Sequence, residues 1–160
     1  MSDNFKLQPI QNWLKKNNWF FYDHQLETLN QSINGYDILL IAPTGGGKTL
    51  AGFLPSLHDL INNNSPENKL HTLYISPLKA LTIDVHRNLT NPIEDQNLDI
   101  RVETRTGDTS SYKKNRQKNV PPHMLMTTPE SLALLLADIK AKEYFKSLRY
   151  LIIDEINSLV

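Results

Sequence analysis

Residues 42–49 read APTGGGKT, and their types and order suit the capture of a polyphosphate. Consecutive glycines at 45, 46 and 47 let backbone amides turn inward around anionic oxygens with no Cβ in the way. Lys48 then reaches the β and γ phosphates as a point charge, and the Thr49 hydroxyl is placed to ligate Mg²⁺. Thr44, with Gly45, Gly46 and Gly47, completes the cradle. Such a loop must follow a buried strand and open a helix, whose N-terminus adds the positive end of its dipole. The apolar run DILLI precedes it and a helical run follows from about Leu50. Ala42 stands where the GxxxxGKT pattern has its first glycine, so the order strand, GKT, helix carries the reading. A glycine-rich turn taken alone is equally a structural turn.

A second group lies near the end of the chain, where Asp154 and Glu155 close the apolar run YLIIDE. Parallel sheets hold ligands beyond the carboxyl ends of their strands. An acid there is suited to hold Mg²⁺ through water, the role expected of Asp154, and its neighbour Glu155 to orient or deprotonate an attacking water. Acidic residues also cap helices, so this pair gains its meaning from agreement with Lys48.

The elements that must position these groups can be read from the apolar pattern. Residues 37–42, 71–76, 100–103, 124–127 and 149–154 are expected as strands, joined by connections too long for hairpins. Runs such as LYIS and MLMT are apolar on both faces, as in buried parallel strands covered by crossover helices. The expected class is α/β. Residues 10–17 and 24–33 read as two helices, the second stopped by Asn34 and Gly35. Between them Trp19, Phe20, Phe21 and Tyr22 are expected to anchor this preamble by burying aromatic area.

The chain has 160 residues, 39% hydrophobic and 21% charged, the size of one domain of a soluble globular protein. No apolar stretch approaches the length of a membrane span, so no membrane partner is expected. The N-terminus carries no secretory or transit pattern, which points to the cytoplasm. Seventeen basic residues balance seventeen acidic ones, so a polyanion must be held by local charge. The absence of cysteine removes disulfides, thiolate zinc sites and iron–sulfur clusters. Five scattered histidines offer no pair at helical spacing, and the run Lys113, Lys114, Arg116, Lys118 reads as a solvated face.

Five segments in order give a wider likeness: APTGGGKT, SPLKAL at 76–81, RTGDTS at 105–110, TTPESL at 127–132 and DEIN at 154–157. With them the sequence resembles the first motor domain of superfamily 2 DExH-box helicases, within the large helicase-related branch and especially its ligase-associated members. The resemblance implies a RecA-like P-loop NTPase fold, with residues 1–36 as a helical segment and residues 37–160 as the ATP-binding domain. It implies ATP and Mg²⁺ as cofactors, Lys48 and Glu155 in catalysis, and Thr49 and Asp154 at the metal. Gln25 falls where a helicase glutamine reads the adenine edge, with Phe21 or Tyr22 to stack on the base.

The resemblance also implies a track for one nucleic-acid strand, formed by Pro77, Lys79, Arg105, Thr106, Gly107, Thr127, Thr128, Pro129 and Glu130. Lys79 would pair with a phosphate, while Thr127, Thr128 and the helix after Pro129 offer hydroxyls and amides to another. Such contacts read backbone, so single-stranded DNA or a duplex junction is the expected partner, with RNA also compatible. TTPES is at the same time an ordinary capped helix start. A DNA ligase or nuclease is a further partner that the resemblance allows and these residues do not specify.

Two departures stand out. Asn157 replaces the histidine usual at the fourth place of DEIN, which bears on coupling between nucleotide and strand. The second motor domain and its arginine finger are expected outside residues 1–160, so this chain alone is expected to be inactive in hydrolysis and unwinding. A nucleotide- and strand-binding module without turnover is the alternative. A P-loop transporter or signalling ATPase explains neither PLKAL nor TTPES.

Overall fold

The computed structural model describes residues 7–43, 45–63 and 67–156; Thr44 and Asn157 lie outside them. The chain divides into two compact units, residues 1–64 with 92–98 and residues 65–91 with 99–160. Each is described by itself.

The first unit is helical: α1 (Gln8–Lys16), α2 (Asp23–Ile33) and α3 (Lys48–Asn62). Pro9 lies in the first turn of α1, where a missing N–H costs nothing. Asn18, just past the end of α1, takes a left-handed φ of 56°, and Gly35 after α2 takes 86°. Both are stops that residues with low left-handed cost supply. Ile10 and Leu14 of α1, Leu29 of α2, and Ala51, Phe53, Leu54, Leu57 and Leu60 of α3 form the buried apolar set, with α2 packed on α3. Full burial of each larger side chain contributes about 1.5–3 kcal/mol.

Two expectations fail in this unit. Trp19 and Tyr22 are each 55% exposed and Phe20 81%, so these aromatics do not form a buried anchor. They spend their surface on local contacts: Trp19 meets Trp13 edge to face at 5.4 Å, and Tyr22 stacks on His24 at 5.5 Å. The segment 37–42 is not a strand either. Its side chains Leu39 and Ile41 are exposed, and it pairs with no strand among the described residues. Strand propensity alone cannot hold a ladder without a neighbour.

The second unit is built on a parallel sheet. Its strands are β1 (Thr72–Ile75), β2 (Val102–Arg105), β3 (Met124–Thr127) and β4 (Tyr150–Ile153), in the spatial order β2-β3-β1-β4. These fall on the four later expected strands, with β2 beginning and ending two residues later than the expected 100–103. The crossovers carry α4 (Lys79–Asp95), α5 (Ser111–Asn119), α6 (Pro129–Leu136) and α7 (Ala141–Tyr144). Every residue of the central strands β1 and β3 is buried, which is why both read as unbroken apolar runs. Leu70, Leu73, Ile75, Leu125 and Leu135 form the core, with Leu132, Tyr144, Phe145 and Leu148 against it. The register pairs Ile75 with Thr127 and Ile153, and Arg105 with Thr127. Ser76, Thr106, Thr128 and Asp154 therefore emerge along one edge, at the carboxyl ends of the strands.

Candidate nucleotide and strand sites

In the first unit, the loop before α3 is shaped by backbone. Gly47 adopts a left-handed φ of 72° as the N-cap of α3, and no side chain caps the helix there. The first amides of α3 thus keep their donors for another acceptor. Lys48 sends its ammonium back across the loop, donating to the carbonyls of Ala42 at 2.7 Å and Pro43 at 2.9 Å. Gly46 closes the turn by donating its N–H to the Pro43 carbonyl at 3.1 Å. Thr49 is exposed beside Lys48.

Gln25 is the buried brace of this loop, 2% exposed. Its Nε2 donates to the Gly47 carbonyl at 3.0 Å and its Oε1 accepts the Tyr22 N–H at 2.9 Å. A Cβ at Gly47 would stand 2.5 Å from that Nε2, so the close approach requires glycine here as much as the φ does. Both ends of the Gln25 amide are bonded to the chain itself. Gly45, Gly46 and Gly47 put no Cβ into the loop, and with its uncapped helix start, a lysine and an exposed threonine it has the donor set that fits a polyphosphate with its divalent ion.

In the second unit, Asp154 follows β4 and is held from two directions. Tyr74 in β1 donates its hydroxyl to Oδ2 at 2.8 Å, and the Glu155 N–H donates to Oδ1 at 2.9 Å. Burial first, then the Asp154 carboxylate, pushes the Tyr74 phenol well above its ordinary range, so it stays a donor. Glu155 has φ 52°, a left-handed backbone rare for a residue with a Cβ. Such strain, about 1–3 kcal/mol, tends to collect where a side chain must be aimed.

The residues expected along a strand track separate into surface and frame. Lys79, the first residue of α4, forms an ion pair with Asp108. Arg105 is 5% exposed and donates to the Lys114 carbonyl at 2.9 Å and to Gln117 at 3.4 Å. Thr127 is fully buried and donates to the Arg105 carbonyl at 2.8 Å, tying β3 to β2. These two side chains position the edge and do not face solvent. Pro77, Gly107, Pro129 and Glu130 are at least partly exposed, while Thr106 and Thr128 are buried. The Glu130 carboxyl is held below its ordinary range by its own backbone N–H and then by the Thr128 hydroxyl. It takes up donor capacity at the start of α6 that the sequence offered to a phosphate.

The run expected as a solvated face is largely engaged. Arg116 bonds Glu103 at 2.6 Å, Lys118 pairs with Asp138, and Lys114 donates to the Gly107 carbonyl at 3.0 Å. Sequence reasoning missed Tyr74 and Asp108. A phenol inside an otherwise apolar parallel strand is a usable signal for the first. Asp108 lies within a motif already singled out, but its partner is a helix away.

Residues 22–160 match the family described as DEAD/DEAH box helicase. The ATP-dependent helicase Lhr-Core of Methanocaldococcus jannaschii is 37% identical over 165 residues, covering 95% of this chain and 20% of the relative. The Lhr helicase/uracil glycosylase of Escherichia coli is 36% identical over 152 residues, covering 84% of this chain and 10% of that protein. Among solved structures, Mycobacterium smegmatis helicase Lhr bound to ssDNA and AMP-PNP superposes with a TM-score of 0.82 at 35% identity, over 98% of this chain and 21% of that one. Helicase MrfA bound to DNA and AMPPNP gives 0.84 at 28% identity, over 99% and 22%. The chain spans about a fifth or less of the length of these relatives.

Proposed function

The chain belongs to the DEAD/DEAH box helicase family, and from that premise we propose that it is the ATP-binding part of the first motor domain of an ATP-dependent DNA helicase. The observation that carries the reading is the loop before α3, with its left-handed Gly47, uncapped helix start and Lys48 drawn across it. ATP with Mg²⁺ supplies the phosphoanhydride whose hydrolysis drives such motors. Lys48 and the first amides of α3 bind its phosphates, Thr49 and Asp154 serve the metal, and Glu155 aims at water. Gln25 holds the loop in shape through Gly47 and Tyr22, and Tyr22 or Phe21 is left to stack on the base.

Residues 37–160 are assigned to the RecA-like domain and residues 1–36 to a helical segment before it. Single-stranded DNA or a duplex junction is the proposed partner, held along Pro77, Lys79, Gly107, Pro129 and Glu130, with the buried Arg105, Thr106, Thr127 and Thr128 as positioning residues. The relatives bound to DNA support that choice. Service in DNA repair beside a ligase or nuclease, and a cytoplasmic location, belong to the same reading. No helix among the described residues is long and apolar enough to cross a membrane.

Titration calorimetry with Mg-ATP tests the nucleotide site. Lys48→Ala should weaken binding by roughly 1.5–3 kcal/mol, the scale of a charge-assisted contact. Unchanged affinity in a folded Lys48→Ala protein removes the assignment. Gln25→Ala should weaken ATP and GTP equally if the brace dominates, and ATP alone if the side chain reads the base.

A further inference from the structure

We propose that Asp108 is an internal stand-in for a strand phosphate: it occupies Lys79, and a bound strand must displace it, so Asp108 sets the affinity and salt response of this part of the track. The inference rests on the reading of Lys79 as a strand contact.

The loop carrying Asp108 is well tied without that ion pair. The Thr106 N–H donates to the Thr109 hydroxyl at 2.9 Å, and the Thr109 N–H returns to the Thr106 carbonyl at 3.1 Å. Lys114 holds the Gly107 carbonyl at 3.0 Å, and buried Arg105 holds the Lys114 carbonyl at 2.9 Å. Asp108 thus projects from a fixed turn onto the first residue of α4. The Lys79 and Asp108 side chains are 46% and 73% exposed, and a pair that open to water adds little to folding.

Its consequence lies in what else Lys79 can hold. A carboxylate and a phosphate oxygen make the same charge-assisted bond to an ammonium, and one excludes the other by occupancy and by like charge. Next to Asp108, an ideal Cβ at Gly107 meets nothing within 4 Å, so the backbone beside the pair is open to an approaching strand.

Fluorescence anisotropy of the 160-residue chain with a labelled short oligothymidylate, between about 50 and 200 mM salt, tests this. Asp108→Asn should bind on the order of two- to fivefold tighter at the lower salt. Its slope of log affinity against log salt should steepen by about 0.7, one added single-strand phosphate contact. Lys79→Ala should erase the gain, so that the double variant binds like Lys79→Ala alone. If Asp108→Asn binds equally or more weakly, Asp108 positions Lys79 instead of competing for it, and the proposal is overturned. A gain that survives Lys79→Ala overturns it too, because removal of any negative charge would then suffice. If Lys79→Ala changes nothing in either background, the reading of Lys79 as a strand contact has failed, and Asp108 has nothing to regulate. An unchanged melting temperature in each variant confirms that the fold is intact.

Discussion

The loop before α3 and the carboxyl edge of the sheet are the two regions proposed to meet phosphates, and they are made in different ways. The loop is a backbone object: φ at Gly47, carbonyls taken by Lys48, and amides left free at a helix start. The edge is a side-chain object, in which Tyr74 holds Asp154, Arg105 holds the α5 backbone, Thr127 holds Arg105 and Asp108 holds Lys79. A backbone site is specified by a few consecutive residues. A side-chain site depends on which strands are neighbours and in what register.

Two glycines give the strongest contrast. Gly47→Ala should cost roughly 2–3 kcal/mol, combining the left-handed penalty of about 1–2 kcal/mol with displacement of the Gln25 amide. Gly107→Ala should leave stability almost unchanged, since its Cβ meets nothing. Urea denaturation of both variants, with Mg-ATP titration of the first, checks the difference. Equal losses would show that the loop and the edge are alike in their demand for glycine.

That contrast also explains what was legible. APTGGGKT gave the loop because each requirement sits on an adjacent residue. The four strands of the second unit were legible because β1 and β3 are buried on both faces and read as unbroken apolar runs. Residues 37–42 carry the same signature and form no strand, because an apolar pattern records a tendency to be covered and does not name what pairs with it. In the sequence Arg105 and Thr127 have the side-chain types of surface phosphate contacts. Only the pairing of β2 with β3 shows their polar atoms spent on each other and on α5. The position of Gln25 in the sequence suits a contact to a base, and its burial against Gly47 follows only from the packing of α2 on α3.

A smaller effect tests whether the edge depends on pairwise bracing. Tyr74→Phe removes the donor to Asp154 while keeping the ring in β1, and should lower stability by roughly 1–2 kcal/mol. The midpoint of urea denaturation followed by circular dichroism reads this loss. No loss would mean that the Asp154 oxygen finds water equally well and that the edge is looser than its hydrogen bonds suggest.

The smallest effect lies at the opposite, amino end of the same strands. His123 is 4% exposed, and its Nδ1 accepts the Arg101 N–H at 3.0 Å, which requires that nitrogen to be unprotonated. Burial first, then the positive charge of Arg101, holds its pKa below the ordinary 6.5, with Asp99 opposing. The unfolded chain therefore binds a proton at this residue at higher pH than the folded chain does. Stability must then be fully present above about pH 6.5 and decline as pH falls through the window between the unfolded and folded pKa values. The depressed carboxyls of Asp138 and Glu130 act only lower, where carboxylates titrate, so a comparison between about pH 7.5 and 5.5 isolates histidine. Amide exchange of β1 and β3 should lose protection over that interval. His123→Asn, which keeps an acceptor for Arg101 and cannot titrate, should remove this part of the dependence. If the variant retains the full loss, another histidine carries it, and the amino ends of the strands are not braced by a neutral His123.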